Sequence, residues 1–516
     1  MKSRPLLAAL ALAALLALLA GCGGGDSSGS ELADLAPPGS PVFVEGAVRP
    51  AGELKSNTDA IAKRVAGIAD LGDFIVSELE SSAQGDGEPF DYAKEIEPWL
   101  GERAGVFFEK LDGSDFSGVG AIVESTDTAA TREFIDTQVK GSNDPYRAAS
   151  YEGVEYEFGG SEENAIGVVG DFLVVAEGEQ VFKEAVDASQ GDSLAAEDTF
   201  AKAISAASDG SLADVYVDVG ALIDQSGGQI DPQARQILQN AGIDPSEATA
   251  VASIVPGSDR IAIELSSDLA GQEAPKGDAS ALLGSLPSTS FAAFAVSGFG
   301  EQLKEAIDSL DEEGIPGTIP PNQLKKGLKE IGIDLEGLAN SFQDAGAFAV
   351  GSSESSLGGA LVLTTEGSQV TDTIANIGKL LRSVQVAGVT ALSGKYDGFS
   401  IRSDELGDKP LVVAAKQGRL AIGYGMPATL VALASGAGKT LSDNPAYGDA
   451  VASLGGTPIS GFADGPAALR LADSLIPSSD SGFEGAKRYL KSIRFLALGS
   501  ATQGDLATAK LIVGLK

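Results

Sequence analysis

The sequence predicts an α+β fold built twice in tandem, each copy a mainly antiparallel sheet with helices packed on one face. Short apolar runs bounded by Gly, Asp or Ser are typical of strands. Neighbouring runs are joined by turns too short for a crossover, so they pair as antiparallel hairpins. The same order of motifs recurs after roughly 241 to 250 residues, a period that indicates duplicated domains and not a solenoid.

The N-terminus has the three parts of an export signal. Two basic residues precede an apolar run from Pro5 to Ala20, which is short for a membrane span. Leu19-Ala20-Gly21-Cys22 then follows the order of the bacterial lipobox. We therefore expect residues 1–21 to be a lipoprotein signal peptide and the Cys22 thiol to receive a diacylglycerol. The alternative is a plain secretory signal with an incidental cysteine.

The segments after the signal follow from composition and from the repeat. Residues 22–34 hold the lipidated cysteine and a Gly/Ser-rich stretch, which predicts a flexible tether. The predicted domains are a first α+β repeat at 35–266, a linker at 267–278 and a second α+β repeat at 279–516.

The first copy begins with an apolar strand around Val42–Val44 and continues into amphipathic helical sequence that includes Asp59–Ile68. A helix is predicted from Phe90 to Leu100. Ala165–Val169 and Phe172–Ala176 predict a hairpin. Two helices with 3.6-residue apolar spacing are predicted between Val181 and Ser205. The remaining predicted strands are Ala104–Phe108, Gly118–Val123, Tyr216–Asp218, Ala252–Ile254 and Ile261–Ile263.

The second copy repeats this order with weaker identity. The clearest pairs of segments are Ala104–Phe108 with Ala345–Ala349, Gly118–Val123 with Gly358–Leu363, Tyr151–Gly153 with Tyr396–Gly398, Asp171–Val175 with Gly418–Ile422, and Tyr216–Asp218 with Phe462–Asp464. The pairing predicts that both copies have the same order of strands and helices.

Histidine is absent and Cys22 is the single cysteine. The missing imidazole removes the usual general base of serine and cysteine hydrolases and the commonest metal ligand. Once Cys22 is lipidated, no thiol remains for disulfides, zinc-thiolate sites or nucleophilic catalysis.

The charge is strongly acidic, with 36 Lys and Arg against 73 Asp and Glu, a formal net charge of −37. Such a surface repels nucleic acid and anionic lipid headgroups. We therefore expect no nucleic-acid partner.

Several segments of the first copy resemble a known family. They are Pro38 with Val42–Glu45, Pro98–Gly105, Tyr151–Val154, Gly170–Ala176 and Ser193-Leu194. They are similar to the actinobacterial lipoproteins of domain-of-unknown-function family 3352. The resemblance is weaker in the second copy, where Asn340-Ser341 stands in place of Pro98-Trp99. It implies no known activity and carries no catalytic residues.

Four motifs invite a functional interpretation, and a structural one fits each better. Gly436–Thr440 lacks the first glycine of a phosphate-binding loop, because Leu433 stands there, so we interpret it as a turn. Gly25–Gly29 lies in the tether and cannot be a nucleophile elbow. Asp112–Asp115 fails the calcium-loop spacing and predicts a hairpin turn. Trp99, the single tryptophan, is interpreted as core or interface filler.

The sequence therefore predicts a lipid-anchored protein on the extracytoplasmic side of the cell membrane that binds or scaffolds without catalysis. No catalytic, cofactor-binding or metal-binding residue is predicted, and the site residue is the lipid attachment at Cys22. The predicted partners are the membrane, through the anchor on Cys22, and an envelope protein or a small solute. The alternative is a solute-binding lipoprotein of a transport system, although its lobes would have largely parallel sheets.

Overall fold

The structure, a computed structural model, describes residues 31–86, 91–112, 115–142, 145–159, 163–225, 248–268, 277–314, 320–330, 332–366, 369–383, 387–392, 396–416, 418–433, 438–503 and 506–516. The predicted signal peptide, most of the tether with Cys22, and the central part of the predicted linker lie outside the described residues. The predictions for those segments stay predictions.

The described chain is α+β, with helices and antiparallel strands, which confirms the predicted class. It divides into two compact units. The first comprises Met1–Gln272 with Thr502–Ala509, and the second comprises Glu273–Ala501 with Lys510–Lys516.

The first unit has an antiparallel sheet of strands β1–β10. They are β1 Val42–Ala47, β2 Leu100–Asp112, β3 Asp115–Ser125, β4 Tyr146–Tyr151, β5 Val154–Gly159, β6 Asn164–Val169, β7 Phe172–Ala176, β8 Ala213–Asp218, β9 Thr249–Pro256 and β10 Arg260–Asp268. The pairings give the order β10-β9-β8-β1-β2-β3-β7-β6-β5-β4. The predicted hairpin between β6 and β7 is confirmed.

The helices described in the first unit are α1 Gly52–Ala66, α2 Leu71–Asp86, α3 Tyr92–Glu95, α4 Thr128–Gly141, α5 Glu179–Ala188, α6 Asp198–Ile204 and α7 Val219–Gln225. Helices α5 and α6 confirm the two helices predicted between Val181 and Ser205. The helix predicted from Phe90 to Leu100 is shorter, because the chain leaves α3 after Glu95 and Leu100 already begins β2.

The sheet of the first unit has a buried cluster on each face. One cluster contains Phe43, Phe107 and Tyr216 with residues of α5 and α6. The other contains Trp99 and residues of α4. The prediction of helices on one face is therefore wrong. Its physical reason is visible along the strands: Val174 belongs to one cluster and Val175 to the other, so both sides of the strand are apolar.

Strands β11–β20 belong to the second unit, except for the parts of β19 and β20 that lie within Thr502–Ala509 and belong to the first. They are β11 Ser290–Val296, β12 Phe342–Val350, β13 Gly358–Thr365, β14 Val389–Ala391, β15 Asp397–Ile401, β16 Leu411–Lys416, β17 Arg419–Tyr424, β18 Ile459–Asp464, β19 Ile493–Gln503 and β20 Leu506–Leu515. Their order is β20-β19-β18-β11-β12-β13-β17-β16-β15-β14. Strand by strand, it is the order found in the first unit.

The helices described in the second unit are α8 Ser280–Gly284, α9 Phe299–Glu313, α10 Leu324–Glu330, α11 Leu335–Asn340, α12 Gln369–Ser383, α13 Met426–Leu433, α14 Pro445–Ser453, α15 Gly465–Leu475 and α16 Ser481–Leu490. One cluster in this unit joins Phe342, Leu363 and Phe399 with Val370 and Ile374 of α12.

One backbone feature recurs where a strand turns into a helix. Gly178 precedes α5 with φ +92°, and Gly425 precedes α13 with φ +91°. Residues with a side chain rarely adopt this backbone conformation, so glycine is required at both turns. It fixes which residues of α5 and α13 correspond: Glu184 of the first unit matches Val431 of the second.

Candidate functional site

The predicted site residue, Cys22, lies outside the described residues, as does the Gly25–Gly29 motif. Lipid attachment at Cys22 therefore stays a prediction that rests on the sequence.

Two of the structural interpretations can be checked directly. Trp99 is 1 % exposed, its ring lies 5.2 Å from that of Phe134, and its Nε1 donates to the carbonyl of Glu95 at 2.7 Å. Asp112 and Asp115 are cross-strand partners at the end of the β2–β3 hairpin. Trp99 is therefore a core residue, as predicted. The pairing of Asp112 with Asp115 agrees with the predicted hairpin, and residues 113 and 114 lie outside the described residues.

The described part of the Gly436–Thr440 motif serves a local cap. The Thr440 N–H donates to the Asp443 carboxylate at 2.8 Å, and Thr440 forms an isolated antiparallel bridge with Pro287. Residues 436 and 437 lie outside the described residues. The three residues that are described agree with a turn.

The first unit holds a pair of glutamates between its sheet and a helix. Glu109 lies on β2 and Glu184 on α5. Glu109 crosses above Gly118 of β3, where a Cβ atom would lie 2.8 Å from the Glu109 Cβ. Gly118 also has φ +66°, so this position favours glycine in both conformation and space. The sheet thus makes room for the Glu109 side chain under α5.

The two carboxyl groups shift each other's pKa in opposite directions. Burial, the hydrogen bond to Glu184 and the charge of Glu184 together raise the pKa of Glu109 to about 8. The same hydrogen bond lowers the pKa of Glu184. Lys110 opposes the shift at Glu109 and Glu177 adds to it. Glu109 is therefore a neutral acid at pH 7 that donates to the Glu184 carboxylate.

A second set of polar residues crosses the sheet in one row. Glu264 of β10 faces Ser253 of β9, Ser253 faces Asp214 of β8, and Asp214 faces Glu45 of β1. We call these four residues, with Arg103 of β2, the polar row. Successive strands place them side by side, and Asp214, Ser253 and Glu45 are all buried.

Hydrogen bonds within the polar row are short. The Asp214 carboxylate accepts from the hydroxyls of Ser211 and Ser253, both at 2.6 Å. The Arg103 guanidinium donates to Glu45 at 2.6 Å. Burial nevertheless raises the pKa of Asp214 above its ordinary value, against the two hydroxyls and Arg103, which lower it.

The row also fastens a loop to the sheet. The Ser208 N–H donates to the Ser253 hydroxyl at 3.0 Å, and the Ser208 hydroxyl donates to Glu264 at 2.8 Å. Ser253 is 1 % exposed, so its hydroxyl is closed to a substrate. The chemistry of the row is that of a structural network, in which the bonds of Ser208 and Ser211 hold the segment after α6 against β8, β9 and β10.

Sequence reasoning did not single out Glu109, Glu184 or the polar row. Two signals were present. Glu45 interrupts the apolar run Val42-Phe43-Val44, and Asp214 interrupts Ala213-Val215-Tyr216. A charged residue in the interior of a buried strand requires a partner. The Glu109–Glu184 pair left no such signal, because the two residues are far apart in sequence and each stands beside other charged residues.

The residues that the structure describes contain neither a metal centre nor a membrane-spanning helix. No group of three or more acidic side chains in these ranges is arranged to hold a metal ion. None of the helices in the described part of the chain has both the length and the apolar composition needed to cross a membrane.

A family model described as "Protein of unknown function (DUF3352)" matches residues 76–504, which is most of the chain. The protein belongs to the DUF3352 family. This confirms the resemblance seen in the sequence. No curated protein matches this DUF3352 sequence.

Among solved structures, two crystal forms of TP0453 give weak matches. Crystal form I is 12 % identical, covers 48 % of this chain and 81 % of its own, and has a TM-score of 0.26. Crystal form III is 10 % identical, covers 48 % and 82 %, and has a TM-score of 0.25. These scores are too low to transfer a fold or a function to the DUF3352 protein.

Proposed function

We propose that this DUF3352 protein is a lipid-anchored protein of the extracytoplasmic face of the cell membrane, and that it acts by binding or scaffolding without catalysis. The anchor is the diacylglycerol on Cys22, the partner is another envelope protein, and the folded units present its binding surface.

We also propose that the two units are copies of one domain. The support is the strand order, which is the same at all ten positions of the described sheets. The paired glycines at Gly178 and Gly425 and the sequence pairs that recur after roughly 241 to 250 residues add to it.

The proposal of non-catalytic action rests on one observation: the two units have the same strand order, but the polar residues Glu45 and Glu109 of the first unit are not repeated in the second. Phe107 and Phe348 pair with Phe43 and Ala293, which aligns β2 with β12 and β1 with β11. In this alignment Glu45 and Glu109 correspond to Ala295 and Val350. If a duplicated domain is retained for its binding surface, the sheet is preserved while the polar residues inside it are free to change. The two units show this pattern.

The transport alternative has less support. Solute-binding lobes are built from largely parallel βαβ sheets, whereas every strand pair whose register is described here is antiparallel.

The anchor is tested with Cys22→Ser in the full chain, with Ser27→Ala in the same tether as the matched control. We expect Ser27→Ala to stay in the membrane fraction and Cys22→Ser to be soluble or unprocessed, because the buried acyl CH₂ groups contribute ~0.8 kcal/mol each. A processed Cys22→Ser chain that remains with membranes contradicts the anchor.

The mode of action is tested with the lipidated protein in two assays. Cross-linking in intact cells should give one specific envelope protein, in the wild type and in Ser27→Ala. Thermal shift against sugars, amino acids, peptides and divalent cations should give no large change. A large shift with one small solute would favour transport instead.

A further inference from the structure

The last part of the sequence has the opposite charge from the rest. Residues 487–516 contain six Lys and Arg but a single acid, Asp505. Subtracting these from the totals of 36 and 73 leaves 30 Lys and Arg against 72 Asp and Glu in residues 1–486. A reversal this large inside one chain indicates a local interaction surface.

The fold gathers most of these cations at one end of the second unit. Lys487 and Arg488 lie in the last turn of α16, Lys491 follows it, and Arg494 opens β19. The end of β20 returns to the same place. The Lys516 N–H donates to the carbonyl of Ser492 at 2.8 Å, and the Lys516 Nζ donates to the carbonyl of Lys491 at 2.7 Å.

Ion pairs divide these cations into two kinds. Lys487 pairs with Asp473 at 2.6 Å and with Glu484 at 3.3 Å, and Arg494 pairs with Asp449. Arg488 and Lys491 are exposed and form no ion pair with any residue that the structure describes. In and directly after the last turn of α16, Arg488 and Lys491 are therefore the cations whose charge no described acidic side chain neutralises.

An exposed aromatic side chain accompanies the two cations. Tyr489 is 37 % exposed, and the Arg488 guanidinium lies 4.4 Å from the centre of its ring. We call Arg488, Tyr489 and Lys491 the basic surface. None of the residues of α16 is fully buried.

We infer that the basic surface contacts the headgroups of anionic phospholipids on the membrane that carries the protein. This combination fits a lipid interface: the cations attract the phosphates, and the Tyr489 ring enters the boundary between headgroups and acyl chains. The inference rests on the membrane location in the proposed function and adds which part of the body touches the bilayer.

The overall acidity of the chain does not prevent this contact. At physiological salt, charges more than about 8 Å apart are largely screened, so the sign of the nearest side chains decides the interaction. Each basic side chain at an anionic membrane strengthens binding roughly fivefold. Two such residues, together with Tyr489, give a reversible contact that is measurable without an anchor at millimolar lipid. The anchor strengthens it by holding the body near the bilayer at millimolar effective concentration.

The test uses residues 22–516 with Cys22→Ser, so that no lipid anchor contributes, and vesicles that contain either 30 % anionic phospholipid or only zwitterionic phospholipid. We expect measurable co-sedimentation with the anionic vesicles at 0.1 M salt, and its loss at 0.5 M salt. Arg488→Glu with Lys491→Glu should weaken it at least roughly twenty-five-fold, from the two lost attractions alone.

Matched controls isolate the basic surface from net charge. Lys326→Glu with Lys329→Glu makes the same charge change at exposed positions of α10 and should bind as the parent does. Arg488→Lys with Lys491→Arg keeps the charge and should also bind. Circular dichroism of each variant checks that it is folded.

Three results would overturn the inference: both Glu pairs weaken binding equally, the protein binds zwitterionic vesicles as well as anionic ones, or it does not bind anionic vesicles. The last result is also what an acidic protein partner would give. Because this assay lacks the anchor, its failure is distinct from a failure of the Cys22→Ser fractionation.

Discussion

Phe43 and Glu45 of β1 stand where β11 has Ala293 and Ala295, each facing the same Phe and Gly of the next strand. Tyr216 likewise matches Phe462, so Asp214 corresponds to Ser460. The second unit thus keeps the sheet without the buried charges. The polar row is therefore not required for this strand order, and it is specific to the first unit.

The Glu109–Glu184 pair gives the same contrast. Its counterparts are Val350 and Val431, and Val431 is 53 % exposed. In the first unit, the helix after the strand-to-helix glycine contacts the sheet through the Glu109–Glu184 hydrogen bond. In the second unit, the same helix position carries an apolar side chain. The first unit therefore responds to pH at a place where the second has no titratable group.

The largest expected effect concerns Trp99, whose counterpart by sequence is Ser341. Trp99→Ala should lower the free energy of unfolding of the first unit by about 4 kcal/mol, since it removes a large buried ring next to Phe134. Urea unfolding followed by circular dichroism measures this. Trp99→Phe is the control and should cost less. Equal stability of Trp99→Ala and wild type would mean that the cluster around α4 does not depend on this ring.

The next effect tests the polar row. Arg103→Met should destabilise the first unit by about 3 kcal/mol, because it takes the guanidinium from the buried Glu45 carboxylate. Glu45→Met with Arg103→Met removes both charges and should restore most of that loss. A double variant as unstable as the single one would show that the row cannot be replaced by apolar packing.

The third effect is a pH dependence. The pKa of Glu109 is about 8 in the folded unit and about 4.5 when unfolded, so the folded state holds an extra proton between these values. Stability therefore falls as pH rises from 4.5 to 8. The lowered pKa of Glu184 acts below pH 4.5, where stability falls as pH falls.

Replacing Glu109 should remove that slope. Glu109→Gln should be about 1–2 kcal/mol more stable than wild type at pH 9, because it avoids two facing carboxylates, and nearly equal to it at pH 5. Thermal unfolding across this range checks the difference. A wild type whose stability does not change between pH 5 and pH 8 would show that the pair is not coupled.

The smallest expected effect is the loss of stability when an exposed ion pair is removed. Lys140→Ala removes an exposed i,i+4 pair with Asp136 and should change the free energy of unfolding by less than about 0.5 kcal/mol. The same urea experiment measures it. A loss comparable to that of Arg103→Met would erase the distinction between buried and exposed pairs.

Sequence reasoning predicted the strands well because each is an apolar run with a turn at its end, as in β6 and β7. It failed on the two-faced burial of these strands, since a run such as Phe172–Ala176 does not reveal what covers each side. It could not foresee Glu109 beside Glu184 either. That contact depends on α5 crossing β2, and no local periodicity encodes it. Cys22 is the reverse case, predicted from sequence and outside the described residues.

The difference between the side chains of β1 and those of β11 has a consequence during synthesis. Two neighbouring domains with one strand order can exchange strands while they fold, which is a common failure of tandem repeats. If β11 took the place of β1 between β2 and β8, Ala293 would leave the space of Phe43 empty, and Ala295 would leave Arg103 and Asp214 without Glu45 between them. The divergence of the two sheets therefore favours each nascent unit closing on its own strands.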